Sequence, residues 1–105
     1  MNTPDFNQLV KNWTEQTKKT LLTKADEYAR GDRLSNFKKI SHLNGCTHEK
    51  ALMILVSKHI IALTDFVNDL DGGLVQNYER WNEKIGDIQA YMILLDALVR
   101  ERIGK

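Results

Sequence analysis

Glu83 and Asp87 stand four residues apart in the segment Trp81–Glu101, WNEKIGDIQAYMILLDALVRE. At helical spacing both carboxylates fall on one face, one turn apart, where they repel by a few tenths of a kcal/mol. A helix that needed only to fold would gain from a lysine at one of the two positions. Acids in a first turn do stabilise the helix dipole, which accounts for Glu79 and Glu83, but that effect fades before Asp87. Lys58 interrupts the apolar run LMILVSKHIIAL. It either snorkels to solvent on its long stem or holds a cation over an anionic ligand. Asp65 follows two turns later with the small Ala62 between, which suits either a ligand approaching the backbone or a solvated edge. Asp26 and Glu27 close the first helix, where the dipole prefers cations, and Arg30 and Arg33 are available to pair with them. His42, His48 and His59 lack the spacing of a zinc site, and Cys46 has no second cysteine to join it. There is no glycine-rich phosphate loop, nucleophile elbow or Cys-x-x-Cys pair, so the nucleophile of any hydrolysis is water.

The elements that must position these residues are helical throughout. In the last segment, apolar residues at 81, 85, 88, 92, 95 and 99 recur at alternating four- and three-residue steps, the pattern of a packed helix. Asp87 heads a second stripe through Tyr91, Leu94 and Leu98. A long first helix is predicted from Thr3, a cap with Pro4 at the first helical position, to Arg30-Gly31, with Phe6, Val10, Trp13, Thr17 and Leu21 on one face. Leu34, Phe37 and Ile40 suggest a short helical turn in the connector that follows. Thr47 caps a central helix, apolar around much of its circumference, which Asp71-Gly72-Gly73 ends. No stretch alternates with period two. The expected class is all-α, one domain over 1–105: a compact bundle of three long helices plus one short helix, neighbours packing antiparallel. Two apolar stripes on the last helix exceed what one three-helix core requires. With the large surfaces of Trp13, Trp81 and Tyr91, they predict an oligomer, a homodimer or homotetramer.

Composition narrows the partners. The formal charge is +1 over 105 residues, with acids and bases interspersed, so no basic field argues for nucleic acid. One cysteine forms no internal disulfide, which fits a reducing compartment. The N-terminus shows no basic segment followed by an apolar run, and the apolar stretch 51–67 is broken by Ser57, Lys58, His59, Thr64 and Asp65. A soluble, cytoplasmic protein with no membrane span is expected.

Three segments, ADEYARGDRLSNFKKI, ALMILVSKHIIAL and W-x-EKIGDIQAY-x-ILL, together resemble small phage and prophage proteins of the MazG-like superfamily. That superfamily comprises all-α nucleoside triphosphate pyrophosphohydrolases, and its phage branches include nucleotide-modification-associated domains. The resemblance spans roughly residues 20–100 and rests on Asp26-Glu27-Tyr28 with Asn36-Phe37, on Lys58, and on Gly86-Asp87-Ile88 with Tyr91. It implies Mg²⁺-dependent conversion of a nucleoside triphosphate to monophosphate and pyrophosphate. Asp87, Glu83 and Lys58 would then be catalytic, with magnesium held by Asp87, Glu83 and one of Asp26 or Glu27. The cation would bridge triphosphate oxygens and polarise the phosphorus under attack by water. Lys58 would balance phosphate charge, and Tyr28 or Tyr91 would stack on or hydrogen-bond to the nucleotide.

The chain also departs from the family pattern. Lys84 occupies the position three before Asp87 where a glutamate is expected, no Glu-x-x-Glu appears on the early helix, and Ile61 stands where phage branches often carry arginine. An ammonium at position 84 repels Mg²⁺ but welcomes phosphate. The alternative is therefore a catalytically inactive phage-type module that sequesters a nucleotide, or blocks a host protein, in the host-cell cytoplasm. A purely structural oligomer is a third reading.

Overall fold

The computed structural model describes the backbone of residues 1–28 and 32–105 and the side chains of 1–22 and 32–105. Four helices pack together: α1 (Thr3–Tyr28), α2 (Ser35–Asn44), α3 (His48–Asp71) and α4 (Tyr78–Ile103). No strand occurs among the described residues. The all-α class and the count of three long helices and one short one are as expected.

The helix ends follow the capping chemistry in most places. The Thr47 hydroxyl accepts from Lys50 N at 3.1 Å to start α3, and Asn77 Oδ1 accepts from Arg80 N at 3.0 Å to start α4. Asn2, not Thr3, caps α1, accepting from Asp5 N at 2.8 Å, and Thr3 is already helical. The expected turn around Leu34 and Phe37 is a ten-residue helix, closed by Gly45 in the left-handed conformation (φ 62°).

Helices α3 and α4 form an antiparallel hairpin. Glu49 at the start of α3 receives Arg102 from the end of α4, with Nε 2.9 Å from both carboxylate oxygens. At the other end, Phe66 meets Trp81 edge-on with centroids 5.2 Å apart. The core lies where α2 closes over this hairpin: Leu34, Phe37, Leu52 and Leu98 are buried together, flanked by Leu55, Tyr91 and Leu94. On α4 the stripe headed by Asp87 therefore packs inward. Of the stripe through 81, 85, 88, 92, 95 and 99, Trp81 packs on Phe66 and Leu95 against the core, Ile85 and Ile88 are half-buried, and Met92 and Val99 are exposed. The deepest burial on α4, at Leu98, lies on the Asp87 stripe, and the stripe expected as the main seam is packed in part, through Trp81 and Leu95.

Among the described residues α1 packs on α4 alone, and the two run parallel, contrary to the antiparallel expectation. Gln8 and Asn12 lie beside Tyr78 and Asn82, while Leu21 lies beside Ile93. Antiparallel packing is favoured between helices joined by a short loop; α1 and α4 are not consecutive, and the intervening hairpin reverses the chain. Their contact is partly polar: Gln16 exchanges hydrogen bonds with Asn82 at 2.8 and 3.2 Å, and the Thr17 hydroxyl donates to Gln89 at 3.1 Å. Gly86 permits this approach. A Cβ there would stand 3.2 Å from Gln16 Nε2 and 3.5 Å from Trp13 Cζ3. Gly86→Leu, although it gains a better helix former, is expected to lift α1 from α4. Hydrogen exchange would show α1 amides losing protection while α3 keeps its own; wild-type protection across α1 would contradict this role.

By length and composition α3 is the one helix among the described residues apolar enough to cross a membrane, a test that core helices also pass.

Candidate functional site

On α3 the residues facing α4 recur at four- and three-residue steps: Leu52, Val56, His59, Leu63 and Phe66. Four of the five are hydrocarbon. His59 is the exception, 9 % exposed, and its Nδ1 is the one buried side-chain polar atom among the described residues without a hydrogen-bond partner. Leaving such an atom unpaired costs about 1–3 kcal/mol, so the fold alone gains nothing from it.

Its nearest charged neighbour is Asp87 on α4, whose Oδ2 lies 3.4 Å from Nδ1. That distance is within ion-pair range, but the orientation makes no hydrogen bond. A slight turn of the ring would let Nδ1–H donate to Asp87, leaving Nε2 the lone pair that a base requires. Tyr91, one turn beyond Asp87, lays its ring against the imidazole with centroids 5.6 Å apart and a 40° tilt. Phe37 of α2 supports Tyr91 edge-on from the other side, at 6.4 Å.

Burial is the main force on His59, and it pushes the imidazole pKa below its ordinary 6.5. Asp87 opposes that shift, Lys84 and Lys58 reinforce it, and Glu83 weakly opposes it. His59 is therefore neutral at pH 7. Burial, and then the Asp87 charge, raise the Tyr91 hydroxyl above its ordinary 10, so Tyr91 is protonated.

Of the residues singled out by sequence, Asp87 and Tyr91 lie against His59, and Lys84, Lys58 and Glu83 act on it through their charges. Asp87, Lys84 and Tyr91 are half-buried, while Glu83 and Lys58 are exposed at the rim. The side chains of Asp26, Glu27 and Tyr28, the remaining candidates, lie outside the described residues. Asp65 is exposed and takes no part in the cluster. Beyond Tyr91 a cleft of 290 Å³ opens between α2 and α3, lined by Arg33, Asn36, Lys39 and Ile40. Two cations and an amide there face the same tyrosine from its far side.

Sequence reasoning passed over His59 because it tested the histidines only for zinc spacing. Its place on a seam otherwise occupied by Leu, Val and Phe was the available signal. Arg33 and Lys39 gave none, since their cleft exists only once α2 folds over the hairpin.

Among the described residues no three His, Cys, Asp or Glu side chains converge as a metal cage. Two carboxylates one turn apart suit magnesium nonetheless, because this ion keeps most of its water and is shared between one or two protein carboxylates and substrate phosphates.

Comparison of the chain with protein-family models, with curated proteins and with solved structures finds no match.

The histidine has a consequence for stability. A His held neutral by the fold is protonated more readily when unfolded, so the unfolded state gains protons as pH falls below 6.5. Its contribution is full above that pH and is lost as pH falls toward the lowered folded value. Thermal unfolding is expected at a lower temperature at pH 5 than at pH 7, and His59→Gln should flatten that difference. An unchanged pH dependence in the variant would place its origin elsewhere.

Proposed function

We propose that the protein is a MazG-like nucleotide-binding protein whose His59 cluster receives the triphosphate and hydrolyses it to monophosphate and pyrophosphate. The observation that supports this is a buried, unpaired imidazole with the Asp87 carboxylate 3.4 Å away, within the field of Lys84, Lys58 and Glu83. Lys58 and Lys84 offset phosphate charge. Asp87 orients His59, and His59 takes a proton from the attacking water. Tyr91, between the cluster and the Arg33–Lys39 cleft, stacks on the base or donates its hydroxyl to the nucleotide. Magnesium, held by Asp87 and Glu83 together with the phosphates, supplies Lewis-acid polarisation of the phosphorus when bound. No described side chain serves as a covalent nucleophile in this scheme, so water attacks.

A second reading has its own support. Lys84 stands half-buried beside Asp87, and the described residues supply two carboxylates where the family pattern calls for more. A module that binds nucleotide without cleaving it would have this donor set.

Incubation with a panel of ribo- and deoxyribonucleoside triphosphates and Mg²⁺ separates the two. Pyrophosphate release from any of them supports the enzyme. Metal-independent binding without release supports the sequestering module. Absence of both release and binding would contradict both readings and leave a role in protein interaction.

A further inference from the structure

The turn that joins α3 to α4 is a fixed frame. α3 ends in a Schellman motif: Leu74 N donates to the Asp69 carbonyl and Gly73 N to the Leu70 carbonyl, both at 3.0 Å, with Gly73 left-handed at φ 84°. Gln76 then ties the turn to both helices. Its amide donates to Asp69 Oδ2 at 3.3 Å, its side-chain oxygen accepts from Arg80 at 2.8 Å, and its carbonyl accepts from the Trp81 indole at 3.1 Å. Asn77 completes the frame as the cap of α4.

What this frame holds out to solvent is apolar and acidic. In a Schellman motif the residue after the left-handed glycine ordinarily packs on an apolar side chain in the last turn of the helix, at C3 or C4. Those positions are Asp69 and Asn68 here, so Leu74 lacks that partner, and it is 54 % exposed. Val75 beside it is 70 % exposed and Tyr78 66 %. From His59 to Glu79 the chain carries four carboxylates, Asp65, Asp69, Asp71 and Glu79, and no lysine or arginine. None of the four makes an ion pair among the described residues. Asp71 stands in the last turn of α3, where the dipole favours cations and none is present. Arg80, the first cation beyond them, is drawn back over the Phe66 ring at 5.6 Å. The fold gains nothing from the bare leucine or from the terminal aspartate.

Tyr78 carries this surface on to a pocket of 260 Å³ where α1 meets the start of α4. Leu9 and Trp13 give the pocket apolar walls, Asp5 adds a carboxylate, and no lysine or arginine lines it among the described residues.

Charge selects the occupant. A second copy would bring the same carboxylates to the contact, and an anionic lipid surface or a nucleic acid would bring phosphates, so each is repelled. A partner that mixes lysine or arginine with apolar side chains is attracted, and a frame already fixed loses little entropy on binding it.

We propose that the α3–α4 turn, with Tyr78 and the Asp5 pocket, docks a basic amphipathic segment of a different protein. Leu74 and Val75 meet its apolar side, and Asp5 and Asp71 meet its cations. The turn begins about 20 Å along α3 from His59, so the inference does not rest on the nucleotide reading.

The probe is a fluorescent amphipathic helical peptide of leucine and lysine, with the same peptide carrying glutamate for lysine as control. Polarisation is expected to show saturable binding of the lysine peptide to the intact chain and none of the glutamate peptide. Leu74→Ser with Val75→Ser should weaken binding about tenfold or more. Asp5→Asn with Asp71→Asn should weaken it about threefold at low salt, a difference that high salt removes. Leu43→Ser, on α2 and 82 % exposed, should bind as wild type does. All five positions are exposed, so the variants should keep wild-type helicity. Amide resonances map the contact on the unaltered protein: those of 72–78 should move with the lysine peptide. Failure of that peptide to bind, equal binding of the two peptides, or undiminished binding to the folded Leu74→Ser, Val75→Ser protein would overturn the proposal. So would resonances that move around His59 or along the α1–α4 groove while those of the turn stay still.

Discussion

Leu98→Ala is expected to lower the unfolding free energy by about 3 kcal/mol, within the 2–5 kcal/mol typical of buried leucine truncations. Leu98 is 1 % exposed and stands where α2, α3 and α4 meet, packed with Leu34, Phe37 and Leu52. The loss combines the transfer energy of the deleted carbons with a cavity that three helices cannot easily close. Against a total on the order of 5–15 kcal/mol, it is a large fraction of what holds the chain folded. The melting temperature should fall by about 10 °C or more. Leu43→Ala, at an exposed position, should change it by no more than about half a kcal/mol in equivalent terms. Thermal unfolding at one fixed protein concentration checks both, since dimerisation would otherwise shift the melting point by mass action. A Leu98→Ala protein as stable as wild type would show that the core has been misplaced.

Asp87→Asn is expected to remove pyrophosphate release by a factor of about 100 or more, the scale of a lost catalytic acid–base partner. The substitution keeps shape and removes one charge. It takes away the acceptor that orients His59 Nδ1 and one of two carboxylates available to magnesium. Stability should change little, because Asp87 is half-exposed and its repulsion with Glu83 disappears with the charge. A structural role predicts the reverse: unaltered activity, with stability unchanged or slightly raised. Measuring turnover and melting temperature on the same preparation distinguishes the two.

Much of the fold can be read from local chemistry. Thr47 and Gly72 bound α3 because capping depends on the hydroxyl and on the chain leaving the helix within a few residues. The Asp87–Tyr91–Leu94–Leu98 line was visible as a stripe for the same reason, since spacing dictates which residues share a face. What covers a face is decided by the return path of the chain, which spacing does not encode. Hence α1 runs parallel to α4, and Met92 is exposed while Leu98 is buried. The site divides in the same way. Glu83 and Asp87 stood out because one-turn repulsion is a local property. His59 did not, because its meaning comes from an aspartate twenty-eight positions away that only the α3–α4 hairpin brings to 3.4 Å.

The most direct test of the central claim is nuclear magnetic resonance of protein labelled on its histidine rings, titrated with deoxyribonucleoside triphosphates with and without Mg²⁺. Three histidines provide an internal comparison: His59 is buried in the cluster, His42 is exposed on α2, and His48 is half-buried at the start of α3. Saturable movement of the His59 resonances, with His42 and His48 nearly still, is the predicted result. Resonances of His59 that stay fixed while nucleotide binds elsewhere, or that stay fixed because none binds at all, would contradict the account.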